Sequence, residues 1–392
     1  MNNQGNVDVL CFGGEDWWYH NQGHIDFQLM RRFSKMGTTL YVNSIVTQKP
    51  KLSEGRKFVK KLIRKTRSIL TGLKLSDAGF WVYSPFSLPV HHVACLCSLN
   101  EMLLRFQLRY VMRKLAIRNP VVWVACPTAC SIAVNMKKSK LVYQRTDCYE
   151  AYPNVDSEMI AMCDRKLKAE ADITLFVNHS LYNEEAGQCK KAYFLDHGVD
   201  FDMFTTAEQN SEHPADIAGI RKPIAGYFGA IDDHKFDVGL VERLADLLPN
   251  VSFVFVGKTL MDCSRLSSKK NVWMLGQKPY EQIPNYGKYF DVAIFPWRVN
   301  SWTEAANPIK LKEYLALGKP IVSTPAFTEL QEHIDVVYKA DTPEVFVELI
   351  KKALDEDCPE KIAARREKVK DSTWDSKAHT VLKELLGRNG DF

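Results

Sequence analysis

Asn307-Pro-Ile-Lys-Leu-Lys-Glu-Tyr-Leu-Ala-Leu-Gly-Lys-Pro-Ile-Val-Ser-Thr324 is the stretch on which the reading of this 392-residue chain turns. Proline suits the first position of a helix, where its missing N–H has no intrahelical partner to lose, so a helix is expected to open at Pro308. Lys310 and Glu313 are three apart and share one face of its first turns. Leu311, Leu315 and Leu317 turn inward, Gly318 stops the helix, and Pro320-Ile-Val-Ser-Thr324 resumes as a buried strand. Free N–H groups around Ile309, joined by the Lys310 ammonium, form a cradle for a diphosphate. One turn later, Glu313 is placed to accept hydrogen bonds from the two hydroxyls of a ribose. A lone Lys/Glu pair on a helix is usually surface charge; here the whole ordered run carries the inference.

In order and spacing this run resembles the nucleotide-sugar-binding motif of GT-B glycosyltransferases, Pro-x-Lys-x-x-Glu-Tyr-x-Ala-x-Gly-x-Pro-x-Val. The resemblance extends over nearly the whole chain. Its further pieces are the Gly13-Gly14 turn after the first strand, the His197-Gly-Val-Asp200 turn, Gly226-Tyr-Phe-Gly229, and Asn271 to Tyr280 ahead of Asp291-Val-Ala-Ile-Phe-Pro296. It points to bacterial transferases of capsule, exopolysaccharide and teichuronic-acid pathways. The fold it implies is α/β, with two Rossmann-like doubly wound parallel-sheet domains facing a cleft. The donor side it implies comprises Gly229, Asn307, Pro308, Ile309, Lys310 and Glu313, with Glu304 just ahead of the motif.

The hydropathy pattern leads independently to two α/β halves. Val7–Phe12, Thr39–Asn43, Gly79–Tyr83, Val121–Ala125, Lys140–Tyr143 and Ile173–Val177 read as apolar strands spaced by helical segments. Such alternation indicates a parallel sheet covered on both faces. Pro223–Phe228, Val251–Val256, Asn271–Met274 and Asp291–Phe295 restart the pattern, with a helix over Val238–Leu248. The expected division is an acceptor-binding domain over residues 1–203, a linker over 204–220, a nucleotide-sugar domain over 221–371 and a terminal helix over 372–392. Sheets of this type bind ligands beyond the carboxyl ends of their strands.

Length also demands two domains, since one core rarely grows beyond about 250–300 residues. A composition of 46% hydrophobic and 25% charged residues is that of a water-soluble protein. No apolar run reaches the roughly 18 residues a membrane span needs, and Met1-Asn-Asn-Gln-Gly5 does not resemble a signal peptide. The ten cysteines lack paired Cys-x-x-Cys spacing and read as reduced core thiols of a cytoplasmic protein.

The net charge of +5 is unevenly placed. From Lys49 to Arg67 there are nine basic residues against Glu54 alone, interleaved with Phe58, Val59, Leu62 and Ile63. A second basic helix, opened by a Ser98–Glu101 capping box, carries Arg105, Arg109, Arg113, Lys114 and Arg118. Lys57, Lys60, Lys61, Arg64, Lys65, Arg105 and Arg109 are thus expected to face an anionic membrane surface, placing the protein peripherally at the inner membrane. Nucleic acid is disfavoured as a partner, since aromatic residues do not interleave with these charges as base-stacking platforms.

Sugar transfer requires stabilisation of the departing diphosphate and, with inversion, a base for the acceptor hydroxyl. The resemblance implies that no metal or other cofactor is needed, Lys310 and the helix N-terminus serving the diphosphate. Asp200-x-Asp202 looks like a metal motif of another glycosyltransferase fold but belongs to a turn. In relatives that glucuronylate lipid-linked saccharides, a strand-end Arg-x-x-Asp supplies the base, which selects Asp147. Asp16, Glu15 and His24, beside Gly13 and Gly14, are the competitors on the acceptor side. Retaining GT-B enzymes carry a second glutamate eight residues before the ribose-binding one, and that position is Ala305; inversion is therefore favoured. The expected reaction moves a sugar, UDP-linked, to a lipid-linked or oligosaccharide acceptor. A nucleotide-sugar 2-epimerase and a silent nucleotide-binding scaffold are the alternatives. A dinucleotide-dependent dehydrogenase is not supported, because Gly13-Gly14 lacks the Gly-x-Gly-x-x-Gly spacing.

Overall fold

The structure is a computed structural model describing residues 7–19, 23–44, 56–87, 94–152 and 155–386, with side chains omitted at 56–62, 94–97 and 385–386. It forms two units, the first made of residues 1–196 and 378–392 and the second of 197–377.

The first unit is built on strands β1 (Val9–Phe12), β2 (Thr39–Val42), β3 (Leu73–Leu75), β4 (Trp81–Tyr83), β5 (Val121–Val124), β6 (Lys140–Arg145), β7 (Ile173–Phe176) and β8 (Ala192–Phe194). Their order in the sheet is β3-β4-β2-β1-β5-β6-β7-β8, parallel throughout except for the antiparallel β3. β1, β2, β5 and β7 are buried along their whole length, as strands covered on both faces must be. Helix α1 (Ile25–Phe33) follows β1, α2 (Arg56–Thr71) follows β2, and α3 (Ala94–Lys114) precedes β5. β1 lies between β2 and β5, so chain direction across the sheet switches there, which leaves a crevice at the carboxyl end of β1.

Under β6 lies an ionic cluster that no hydropathy pattern reveals. Arg145, fully buried, reaches Glu150 at 2.8 Å, Glu185 at 3.0 Å and Asp164 at 3.3 Å. Lys168 joins Asp164 at 2.7 Å and Glu185 at 2.9 Å, and the Tyr143 hydroxyl donates to Asp164. Burying such charges is tolerable only because each has partners on several sides.

In the second unit, β9 (Ile224–Phe228), β10 (Ser252–Val256), β11 (Val272–Gly276), β12 (Val292–Phe295), β13 (Ile321–Ser323) and β14 (Val337–Lys339) form a parallel sheet in the order β11-β10-β9-β12-β13-β14. The switch lies between β9 and β12. Residues 204–220, read from sequence as a linker, are part of this unit. Phe204, Ala207, Ile217 and Ile220 are buried in its core, and the polar residues between them hide that spacing. The helix over Ile309–Leu317 has Pro308 at its N-cap, one position earlier than expected, and Gly318 ends it at φ 78°. The side chains of Arg365 and Arg366 donate to the last carbonyls of that helix, at Ala316, Leu317 and Gly318.

The Ser98–Glu101 capping box is not formed. α3 begins at Ala94, which puts Ser98 inside the helix, and Glu101 pairs with Arg105 one turn on.

Replacing Arg145 by leucine leaves Glu150, Glu185 and Asp164 with only Lys168 as counter-charge. The expected loss is about 3–5 kcal/mol, read as a lowered midpoint in urea unfolding of the full chain.

Candidate active site

In the second unit the site forms where β9 ends. The backbone N–H of Phe228, the last residue of β9, donates to the buried Tyr314 hydroxyl at 2.8 Å. This one bond fixes the Ile309–Leu317 helix against the strand end and brings Lys310 over Gly229. A Cβ on Gly229 would stand 2.6 Å from the Lys310 side chain, and φ there is +142°. Glycine is therefore required twice over, for room and for backbone conformation. Gly257 has the same role beneath it, since its Cβ would lie 1.8 Å from the Gly229 carbonyl oxygen. The loop thus presses close to the lysine with no side chain in between.

Lys310 stands among aromatic rings and beside a second lysine, Lys235, that sequence reading missed. The Lys310 ammonium lies 5.3 Å from the Trp297 ring centre and 5.8 Å from that of Tyr227. Lys235 lies over Trp297 at 5.8 Å and Trp302 at 5.6 Å, and is held by Asp232 at 3.0 Å. Two cations therefore flank one aromatic wall. The only available signal was Lys235's place in the loop after a strand of the Gly-Tyr-Phe-Gly piece, where it stands among polar residues without periodicity. Asn300 joins the two loops by donating to the His234 carbonyl while capping the short helix Ser301–Glu304.

Electrostatics at Lys310 and Glu313 run against the charged state of both. Burial, with repulsion from Lys235, lowers the Lys310 ammonium to about 8. Burial raises the Glu313 carboxyl to about 7, opposed by the attraction of Lys310. Their mutual attraction offsets only part of the desolvation.

Behind Glu313 stands Tyr280, a second residue the sequence reading left without a role. Its hydroxyl is buried and faces Glu313 and Asp200, yet it makes no hydrogen bond of good geometry. Burial and those two carboxylates push its ionisation well up, so it is a neutral donor. Asp200 therefore faces Tyr280 from the turn that precedes Phe201–Thr205. That turn is itself clamped within the unit: buried Lys312 donates to the His197 carbonyl at 2.6 Å, and Gly198 packs against Trp374. Of the remaining residues on the expected donor side, Asn307 is half-buried beside Pro308 and Ile309 at the helix start. Glu304 is exposed.

In the first unit, Asp147 stands two residues past the end of β6, half-buried. The interval to the strand-end arginine is Arg145-Thr-Asp147, one residue shorter than the Arg-x-x-Asp of the resemblance. Arg145 donates to the Asp147 carbonyl at 2.9 Å, and the Tyr152 hydroxyl donates to its carboxylate at 3.2 Å. Desolvation and the Asp147 charge keep Tyr149 and Tyr152 protonated.

The other acceptor-side residues have structural partners. Gly13 lies against the Tyr41 ring, leaving no room for a Cβ, and the Gly14 N–H donates to buried Asp26 at 3.0 Å. Asp26 also takes the Tyr41 hydroxyl at 2.8 Å. Asp16 accepts from Ser68 at 2.7 Å and from the Trp18 N–H at 3.1 Å. His24 is exposed at the start of α1. Glu15 is pushed up by burial, with His24 opposing.

The basic residues expected to face a membrane divide. The side chains of Lys57, Lys60 and Lys61 lie outside the described ones. Arg64 stacks on Tyr19 at 4.8 Å, and Lys65 turns inward to donate to the Ser44 carbonyl. Arg105 is bound to Glu101 and to the Ser131 carbonyl. Arg64, Lys65 and Arg105 are therefore committed within the unit, which corrects their assignment to an outward face; Arg109 is exposed.

A sequence family described as glycosyl transferases group 1 matches residues 212–371, which take in the whole second-unit site. Residues 212–371 are thus similar to the group 1 glycosyl transferases. TuaH of Bacillus subtilis (strain 168), assigned to teichuronic acid biosynthesis as a glycosyltransferase, is 22% identical over 264 residues. That match covers 62% of this chain and 66% of TuaH, slightly under two thirds of the relative's length. Among solved structures, HepE of Anabaena in complex with UDP shares the fold at a TM-score of 0.64 and 14% identity, over 98% of this chain and 100% of that one. Sucrose-phosphate synthase of Thermosynechococcus elongatus matches at a TM-score of 0.70 and 11% identity, over 97% and 99% of the two chains. The fold is GT-B.

Because the Tyr280 hydroxyl is a buried donor facing Glu313 and Asp200, Tyr280→Phe is expected to destabilise the protein by about 1 kcal/mol. A fall in the thermal unfolding midpoint checks this, and an unchanged or higher midpoint would mean that the hydroxyl makes no useful hydrogen bond.

Proposed function

We propose that this glycosyltransferase moves a sugar from a UDP-sugar to a hydroxyl group of a lipid-linked saccharide, in building a surface polysaccharide. The observation that carries the reading is the pair Lys310 and Lys235 beside Gly229 at a helix N-terminus, with Glu313 behind them. Two ammonium groups and free N–H groups suit the two phosphates, and Glu313 suits the ribose. The UDP held by HepE and the pathway of TuaH support the donor class and the product class.

In the proposed reaction the acceptor oxygen attacks the anomeric carbon while the bond from that carbon to the phosphate oxygen breaks. The pair of electrons leaves with UDP, whose charge is balanced by Lys310, Lys235 and the N–H groups around Ile309. No metal is assigned to this step. Asp147 takes the acceptor proton, its backbone held by Arg145 and its carboxylate oriented by Tyr152. Inversion follows from Ala305 in the position where a retaining enzyme carries its sugar-contacting glutamate, with Glu304 directed to solvent. Trp297 and Trp302 offer flat apolar surface for the sugar ring.

UDP is expected to raise the unfolding temperature of the wild-type protein, and Lys310→Ala to abolish the shift; a shift of equal size in that variant would overturn the donor assignment. Asp147→Asn should keep the UDP shift and lower turnover by about 100- to 10,000-fold, measured as UDP release with acceptor present. Interconversion of the UDP-sugar without acceptor would instead establish the epimerase. Persistence of turnover in EDTA tests the assignment of the diphosphate charge to protein groups alone.

The lowered Lys310 and raised Glu313 values define a pH window for donor binding. Lys310 must be protonated, so UDP affinity should weaken as pH rises through about 8. Glu313 must be ionised, so affinity should also weaken as pH falls through about 7. Calorimetric titration across this range measures both limbs, and Lys310→Arg should flatten the alkaline one, because guanidinium keeps its proton.

A further inference from the structure

Helix α3 has one face in the core and a second apolar face in water. Leu104, Leu108 and Val111 point into the sheet-side cluster and are 3%, 1% and 3% exposed. On the opposite side Leu99, Met102, Phe106 and Tyr110 are 46%, 62%, 72% and 64% exposed. Spacings of three, four and four residues place these four in one row about 16 Å long. Ordinary surface helices are polar where they meet water, so a second apolar row requires a cover.

The charges beside the row identify the cover. Arg109 falls between Phe106 and Tyr110, and Arg113, Lys114 and Arg118 follow the row at its end; all four are exposed. From Ala94 to Arg118 the only acidic residue is Glu101, which is occupied by Arg105. A row of leucine, methionine and phenylalanine closed by a tyrosine, with long guanidinium side chains on the same face, matches the boundary between acyl chains and anionic headgroups. A protein partner of the usual kind would call for a shaped pocket around a few anchors, whereas this row is linear, with its cations gathered at its C-terminal end.

We propose that the outward face of α3 docks the glycosyltransferase on an anionic lipid bilayer, Met102 and Phe106 entering the acyl region and Arg109 and Arg113 meeting phosphate headgroups. This narrows the expected membrane contact to one face of α3, from which Arg105 is turned away. Only the use of the surface, in reaching a lipid-linked acceptor, rests on the proposed transferase reaction; the surface itself does not.

The test is co-sedimentation of the full-length protein with vesicles of phosphatidylcholine alone and with phosphatidylglycerol added. Binding to the anionic vesicles should exceed binding to the neutral ones by about tenfold or more. Met102→Glu with Phe106→Glu should abolish it, and Arg109→Gln with Arg113→Gln should reduce it to the neutral-vesicle level. Both variants should keep the wild-type UDP shift, which shows that fold and donor site are intact. Equal binding by the Met102/Phe106 variant, or none by the wild type, overturns the proposal. So does a wild-type dimer in light scattering that the same variant converts to monomer, since a second copy would then be the cover. Loss of the UDP response with vesicle binding preserved would instead sink the transferase reading and leave the docking surface standing.

Discussion

Two ammonium groups held against one aromatic wall, with a buried carboxyl group behind them, set the terms for the second unit. Lys310 and Lys235 repel each other, and burial weakens the protonated state of Lys310 further. Nothing in the unit fully offsets this; the Asp232 and Glu313 carboxylates do so only in part. A dianionic ligand would relieve that repulsion. The hydrogen bond from Phe228 to Tyr314 and the two glycines at 229 and 257 keep it from relaxing by simple separation of the groups.

How far this was readable in sequence differs between parts of the molecule. The run from Asn307 to Thr324 disclosed its helix, its stop at Gly318 and its strand, because local rules decide all three: a proline at the start, a glycine at the end, apolar spacing between. Long buried strands such as β1, β5 and β10 were equally plain. β3, β8 and β14, each of three residues and only partly buried, fell below what periodicity can register. Residues 204–220 looked like a linker because their apolar positions are sparse, yet Phe204, Ala207, Ile217 and Ile220 are buried by tertiary packing that no local window contains.

The site divides along the same line. Lys310 and Glu313 stand in an ordered motif and could be named. Lys235, Tyr280 and Asp26 could not, since each acts through a neighbour far away in sequence. The Ser98–Glu101 pair erred in the other direction: a locally valid capping signal was overridden, because α3 begins a turn further back at Ala94. For Asp147 the strand end was legible, while the Arg145 cluster that holds its backbone was not, being made of charges that hydropathy counts as surface.

The first unit is discontinuous, with its last piece supplied by residues 378–392. Val381 and Leu382 are buried in it, Val381 and Glu384 border a small crevice with Val142, Ile173, Leu175 and Tyr193, and Glu384 pairs with Lys191. During synthesis the ribosome must therefore add 197–377 before this corner of the first unit can close. At about 5–20 residues per second the wait is roughly ten to forty seconds. Throughout it, an apolar stretch of β6 and β7 stands open, a natural holding point for a chaperone.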